Sequence, residues 1–144
     1  MAGGQDIDLA SVGRALDEIA LRDMHRRKTG ALLEASVMMG AACARPTAAV
    51  QAALLSYGRA VGLAFQVVDD ILDVTQASET LGKTAGKDQD SNKPTFVTVL
   101  GLDAAHRHAE ALRQQAHAAL AQSRLGGHAA VLAALADRVV DREN

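Results

Sequence analysis

Apolar residues recur at steps of three and four along most of the chain, which is the spacing of α-helices. The pattern predicts helices over residues 11–27, 31–44, 47–76, 95–100, 102–123 and 129–141. Helix-breaking residues separate several of them: Arg45-Pro46, a segment rich in glycine and lysine at 77–94, and Gly126-Gly127. Residues 1–8 look too short to form an element. Because no strand pattern competes, we predict an all-α protein with one domain over residues 1–144.

The most informative stretch is the centre of predicted helix 47–76, which is apolar on nearly all sides and therefore has the character of a buried helix. A narrow stripe of glycine and polar residues runs along this helix. At about 100° per residue, this stripe contains Gly62, Gln66, Asp69 and Asp73, with Asp70 at its edge. Carboxylates that leave water without partners cost several kcal/mol each, so a cation is expected here. We predict that the three aspartates bind Mg²⁺, which commonly bridges carboxylates to a phosphate. The alternative is a solvated helix end with incidental acids.

Composition and charge narrow the range of partners. The chain of 144 residues has a net charge of −2 and a pI of about 6.2, which argues against nucleic acid. Its single cysteine, Cys43, excludes an internal disulfide and fits a reducing compartment. No apolar run approaches the ~20 residues of a membrane span, and the first residues lack a signal-peptide pattern. We therefore expect a soluble cytoplasmic protein that does not act in a membrane.

Lys83 and Lys93 lie in the predicted loop that follows the aspartate helix. Gly82-Lys83-Thr84 resembles the end of a P-loop, but that motif requires glycine at the position of Ala77. Residues 88–99 fail as an EF-hand because Lys93 stands where that loop requires glycine. Lysines that face a carboxylate–metal cluster suit an anion with several oxygens, such as a diphosphate. The alternative is a solvated charged loop.

The stretch His25-Arg-Arg-Lys28-Thr-Gly30 places four potential cations before an apolar helix. Because that helix continues directly beyond Gly30, we expect Lys28 to point into the interior. Gly30 itself indicates a kink or a close approach of two backbones. The alternative is an exposed helix end with basic residues in its last turn. The other four histidines lack the spacing of metal ligands and are expected at the surface.

Taken together, these residues resemble the C-terminal half of a short-chain polyprenyl synthetase, of the farnesyl or geranyl diphosphate synthase group. Five blocks match in the order of the family: Gly3-Gly-Gln5 with Asp8, His25-Arg-Arg-Lys28-Thr29-Gly30, Phe65-Gln66 with Asp69-Asp70-Ile-Leu-Asp73, Gly82-Lys83-Thr-Ala-Gly-Lys-Asp88, and Lys93-Pro-Thr-Phe96. The blocks span most of the chain. Five blocks in order are far more specific than the aspartate block alone.

This resemblance implies a helical bundle of the isoprenoid-synthase type, normally a homodimer. It implies a Mg²⁺-dependent prenyltransferase of isoprenoid biosynthesis, which condenses isopentenyl diphosphate head-to-tail with an allylic diphosphate. It further implies dimethylallyl or geranyl diphosphate as the allylic substrate and a short-chain product such as farnesyl diphosphate. In this reaction Mg²⁺ pulls on the departing diphosphate, and the isopentenyl double bond attacks the allylic cation that remains.

The resemblance also implies roles for individual residues. The second aspartate-rich motif of the family, which holds the metal, corresponds to Asp69, Asp70 and Asp73. The catalytic residues correspond to Lys28, Thr29, Gln66 and Lys83. The substrate-binding residues correspond to Gln5, Asp8, Lys28, Gln66, Lys83, Lys93 and Arg142.

The first aspartate-rich motif of the family and its isopentenyl diphosphate site lie on earlier helices that have no match here. We therefore expect a bundle without its N-terminal helices, with negligible activity alone, which pairs with itself or with a separate N-terminal half. Two alternatives stay open. One is a non-catalytic helical fragment that acts only by self-association or complementation. The other is a terpene-cyclase-like enzyme, although those enzymes lack the lysine-containing blocks.

Overall fold

The computed structural model describes residues 2–13, 16–81 and 94–142, and every regular element within these ranges is helical. The α-helices are α1 (Ala2–Ala10), α2 (Glu18–His25), α3 (Ala31–Cys43), α4 (Ala48–Leu81), α5 (Phe96–Leu100), α6 (Leu102–Ser123) and α7 (Ala130–Val140). A π-helix, Arg26–Gly30, joins α2 to α3, and a 3₁₀-helix, Gly126–Ala129, precedes α7. The all-α prediction is confirmed.

Capping residues and a glycine mark the ends of α4 and α5. Thr47 accepts a hydrogen bond from the backbone nitrogen of Val50 at 3.4 Å, just before α4 begins. Thr95 caps α5, because its side chain and that of Thr98 each accept a hydrogen bond from the other residue's backbone nitrogen. Gly101 follows α5 with a φ of 85°, which glycine adopts without strain.

The N-terminal region differs from the prediction. Residues 1–8 were expected to form no element, but residues 2–8 lie in the helix α1. A segment of nine residues is too short to be helical alone, and the burial of Gly4 and Asp8 stabilises it. The predicted helix over 11–27 begins only after Asp17, whose carboxylate caps α2. Periodicity alone did not reveal either boundary.

Helices α4 and α6 form the centre of the fold and run antiparallel. Two clusters of buried side chains lie between them, and the first includes Val67 and Ile71 of α4 with Ala109 and Leu112 of α6. The second includes Tyr57 and Val61 of α4 with Ala116 and Leu120 of α6. Residue numbers therefore rise along α4 as they fall along α6. The alanines of α6 allow the two helices to approach closely.

The segment Ala48–Gln76 of α4 is long and apolar enough to cross a membrane by length and composition alone. It qualifies because few charged residues interrupt it, although no unbroken apolar run reaches that length. The core helix of a soluble protein passes the same test. Because α4 packs against α3, α6 and α7, its apolar character is the one that a central core helix needs.

The segment α2–π-helix–α3 has helical backbone angles at both junctions and forms one continuous rod. The rod lies close to α4 where Gly30 meets Gly62, since a Cβ atom at Gly62 would lie 3.1 Å from the Cα of Gly30. The close approach of backbones expected at Gly30 is therefore present. Single π-helical turns inside α-helices occur frequently at functional sites, and this one carries Lys28 and Thr29.

Candidate active site

Asp69 and Asp73 lie about one helical turn apart on α4. The Asp69 side chain is half-exposed and Asp73 is exposed. Oδ1 of Asp69 accepts a hydrogen bond from the Arg142 guanidinium at 2.9 Å. The Cζ of Arg142 also stands 4.6 Å from the centre of the Phe65 ring. Arg142, from just beyond α7, therefore reaches the aspartate stripe and balances one of its charges.

Asp70 differs from the other two aspartates because it points into the protein, where it is buried. Its Oδ2 accepts a hydrogen bond from the backbone nitrogen of Phe96 at 2.7 Å. The same oxygen lies 3.5 Å from Nε2 of His25. The carboxylate therefore joins α4 to the first residue of α5. One of its oxygens is already used inside the protein, which sets Asp70 apart from Asp69 and Asp73 as a metal ligand.

His25 is a buried residue of the site for which the sequence analysis predicts no specific role. Its Nδ1 lies 2.9 Å from Oε1 of Gln66, and because that oxygen only accepts, Nδ1 donates. The ring stacks on Phe96 with 5.4 Å between ring centres. Gln66, predicted to face the substrate, is itself buried and held by this bond. The sequence could have indicated that His25 is buried, because it follows the apolar Leu21 by four residues and so lies on the same helix face.

Lys28 and Asp8, both predicted substrate-binding residues, are brought together. Nζ of Lys28 lies 2.6 Å from Oδ2 of Asp8, which α1 buries against the π-helix. The Lys28 side chain remains 38% exposed, so its ammonium group is accessible from outside. An ammonium group has three donors, and the ion pair uses one of them. Lys28 is therefore held in place while it can still donate to an incoming anion.

The remaining predicted residues divide into two groups. Thr29 is partly buried beside Lys28 on the π-helix, and Gln5 is exposed on α1. Lys83 and Lys93 lie outside the described residues, as do all the residues between them.

His108 extends the cluster on the other side of Phe96, with 5.7 Å between ring centres. Its Nε2 accepts a hydrogen bond from the Arg22 guanidinium at 3.0 Å. Burial and the positive charge of Arg22 together hold the pKa of His108 below its ordinary value, which favours the neutral ring. The sequence places this histidine at the surface, whereas the structure buries it partly.

The residues present fit a cation only in part. Among the residues that the structure describes, no three His, Cys, Asp or Glu side chains come close enough together to hold a metal ion. Asp69 and Asp73 nevertheless offer accessible carboxylates on one face of α4. Mg²⁺ is commonly bound by one or two carboxylates together with substrate phosphates. The arrangement therefore fits a metal that arrives with a phosphorylated ligand.

Comparison with known proteins decides the family. The model of the polyprenyl synthetase family matches residues 1–131. The chain belongs to the polyprenyl synthetase family. The resemblance drawn from the five blocks is thereby confirmed.

Curated members of the polyprenyl synthetase family match nearly the whole chain. A protein of Bradyrhizobium diazoefficiens named "Probable farnesyl diphosphate synthase" is 47% identical over 141 residues, which are 95% of this chain and 42% of the relative. Geranylgeranyl pyrophosphate synthase 10, a mitochondrial protein of Arabidopsis thaliana, is 41% identical over 148 residues, 100% of this chain and 43% of the relative. The chain thus spans less than half the length of the curated relatives it matches.

Solved structures of polyprenyl synthetases share the fold. An FPP/GFPP synthase from Zymomonas mobilis matches with a TM-score of 0.76 and 34% identity over 96% of this chain and 45% of its own. A geranyltransferase from Helicobacter pylori, complexed with magnesium and isoprenyl diphosphate, matches with a TM-score of 0.73 and 30% identity over 98% of this chain and 46% of its own. The helices of this chain are therefore arranged as in these enzymes.

Proposed function

We propose that this chain binds the allylic diphosphate of a prenyltransferase, which condenses it head-to-tail with isopentenyl diphosphate. One observation carries the proposal: the π-helix that bears Lys28 and Thr29 packs onto α4 at Gly62, where the stripe that leads to Asp69 and Asp73 begins. A cation and a pair of carboxylates are thereby assembled on adjoining elements. A diphosphate bridged to a divalent metal requires this combination.

Lys28 would bind the diphosphate directly. When the bond between the allylic carbon and the diphosphate oxygen breaks, negative charge grows on the departing group. A fixed ammonium group stabilises that charge without reorganisation, because the ion pair with Asp8 already holds it in place. The Thr29 hydroxyl, next on the π-helix, is a further donor for the same oxygens.

Asp69 and Asp73 would hold Mg²⁺, which supplies a Lewis acid for the leaving diphosphate when it is bound. Asp69 must first exchange its contact with Arg142, whose guanidinium is then released to bind a phosphate oxygen. We assign Asp70 a different task, which is to hold the start of α5 against α4. The support for this division is the difference in exposure among the three side chains.

Calorimetric titration of the 144-residue chain with dimethylallyl diphosphate, with and without MgCl₂, tests the proposal. We expect Mg²⁺-dependent binding that weakens at least about tenfold in Lys28→Ala and in Asp73→Ala, since each loses a charge-assisted contact. Arg27→Ala is the matched control, because this neighbouring cation is exposed and pairs with Asp23. Equal affinity of Lys28→Ala and Arg27→Ala, or no binding by the folded wild type, would contradict the proposal.

An exposed apolar surface favours self-association as a second function. Helix α3 is apolar along most of its length, yet only Ala41 is buried, and Leu32 and Met39 are 51% and 63% exposed. Helices that are apolar all round are normally buried. We propose that this face pairs with a second copy in a homodimer. Sedimentation velocity should show a dimer that Leu32→Gln/Met39→Gln converts to monomer, and a monomeric wild type would contradict it.

A further inference from the structure

The π-helix Arg26–Gly30 lies between two glycines that belong to different helices. On one side, a methyl group at Gly4 of α1 would overlap the backbone nitrogen of Lys28 and lie 2.5 Å from its Cα. On the other side, a methyl group at Gly62 of α4 would lie 3.1 Å from the Cα of Gly30. Carbon atoms in contact are ordinarily about 3.5–4.0 Å apart. A methyl group at Gly4 would therefore overlap the backbone of the π-helix, and one at Gly62 would fit only if Gly30 shifted by a few tenths of an ångström.

The contact at Gly4 coincides with the ion pair that holds Lys28. Gly4 and Asp8 are four residues apart and share one face of α1. Both are buried there, and Oδ2 of Asp8 lies 2.6 Å from Nζ of Lys28. The distance between α1 and the π-helix, which Gly4 sets, therefore also decides whether Asp8 reaches the ammonium group.

Helix preference does not account for these glycines, since glycine is the weakest helix former apart from proline. Gly4 and Gly62 both lie inside helices. Gly3 and Gly40 also lie inside helices, but a methyl group at either meets no atom within 4 Å. Alanine should fit without movement at Gly3 and Gly40, whereas at Gly4 and Gly62 it should displace the neighbouring backbone, by more at Gly4 than at Gly62. The chain therefore offers its own matched controls.

We propose that Gly4 and Gly62 are positioning residues that clamp the π-helix and so direct Lys28 towards the diphosphate, an inference that rests on the proposed function. π-helical turns are rare and appear mostly as single turns inside α-helices. A wider gap on either side lets the turn relax to an α-helix. Because a π-helical turn holds about one residue more than an α-helical turn, that change rotates the residues after the turn by about 100° relative to the preceding helix, and Lys28 inside the turn by a smaller angle.

The ion pair gives a readout that needs no ligand. In ¹³C NMR spectra, Lys28→Met defines the carboxylate resonance of Asp8 without its partner. We expect Gly4→Ala to move the Asp8 resonance to that value, whereas Gly3→Ala leaves it at the wild-type position. A wild-type Asp8 resonance in folded Gly4→Ala overturns the proposal.

Binding gives the second readout, by titration with inorganic diphosphate in MgCl₂. We expect an affinity about tenfold weaker in Gly4→Ala than in Gly3→Ala, as for loss of one charge-assisted contact. Adding Asp8→Glu should restore part of it, because the longer side chain spans the wider gap. In a Lys28→Ala background, Gly4→Ala should cause no further loss, since both changes act through one group. An equal loss in both backgrounds overturns the positioning role.

The two readouts separate this proposal from the proposed function. If Lys28→Ala binds diphosphate as tightly as wild type, the function assigned to Lys28 fails, and the Asp8 resonance still decides whether the clamp exists. If circular dichroism shows that Gly4→Ala does not fold, Gly62→Ala tests the clamp from the side of α4, with Gly40→Ala as control. An unchanged Asp8 resonance in folded Gly62→Ala then overturns the proposal.

Discussion

Replacement of Asp70 by alanine removes the acceptor of a buried hydrogen bond at the junction of α4 and α5. In the wild type, the carboxylate accepts from the Phe96 nitrogen at 2.7 Å and lies 3.5 Å from His25. A buried donor left without a partner costs about 1–3 kcal/mol, and bonds to charged acceptors lie in the upper part of that range. We therefore expect Asp70→Ala to lose about 2–3 kcal/mol of unfolding free energy. Asp70→Asn keeps an acceptor oxygen and should lose about 1 kcal/mol.

Urea unfolding followed by circular dichroism measures these losses, and equal slopes would show that the unfolded states are comparable. Asp73 supplies the comparison within the same motif, and because its side chain is exposed, Asp73→Asn should lose less stability than Asp70→Ala. Calorimetry should give the opposite order, with Mg²⁺-dependent diphosphate binding retained in Asp70→Asn and lost in Asp73→Asn. If Asp70→Ala is as stable as wild type and has lost binding, Asp70 is a metal ligand and our assignment is wrong.

Three further changes test other contacts. Tyr57→Phe leaves the Leu132 carbonyl without its donor and should cost about 1–2 kcal/mol in urea unfolding. Burial raises the pKa of Tyr57 to about 12, so the wild type should lose stability from about pH 10 towards pH 12. Tyr57→Phe should lose less over the same range. Parallel curves of unfolding free energy against pH would contradict this. The pKa of His108 is lowered, so as the pH falls the unfolded chain takes up this proton before the folded protein does. The unfolding free energy should therefore fall below about pH 6.5, and it should fall less in His108→Gln. Identical pH profiles of unfolding free energy for the two proteins would contradict this. Arg142→Ala frees Asp69 and should strengthen Mg²⁺ binding severalfold in the absence of diphosphate, whereas weaker binding in calorimetry would show that Arg142 does not compete with the metal.

The sequence predicts those parts of the fold that local signals determine. Helix α6 has the predicted bounds because glycine precedes it and its apolar spacing is regular to the end. Helix α1 was missed because its stability comes from burial of Gly4 and Asp8 against a distant segment. The π-helix was missed for a related reason, since it has no composition of its own and periodicity averages over its extra residue.

The same distinction holds for the site. The family resemblance predicts that Asp8 and Lys28 both bind substrate, and the structure joins them in one ion pair. The different orientation of Asp70 could not be predicted, because Phe96 lies 26 positions further along the chain and only the tertiary fold brings its nitrogen to that carboxylate. For His25, the sequence shows a histidine on a buried helix face but cannot show which partner satisfies it.

The length of α4 determines whether parts of the protein can unfold separately. At 1.5 Å per residue its 34 residues extend about 51 Å, and it supplies side chains to both buried clusters. One cluster cannot separate from the other unless this helix breaks. We therefore expect a single opening unit, in which the amides of Tyr57 and Val67 exchange with solvent at the same free energy. A ligand held at Asp69 would then slow exchange at the opposite end of the molecule, with no contact there.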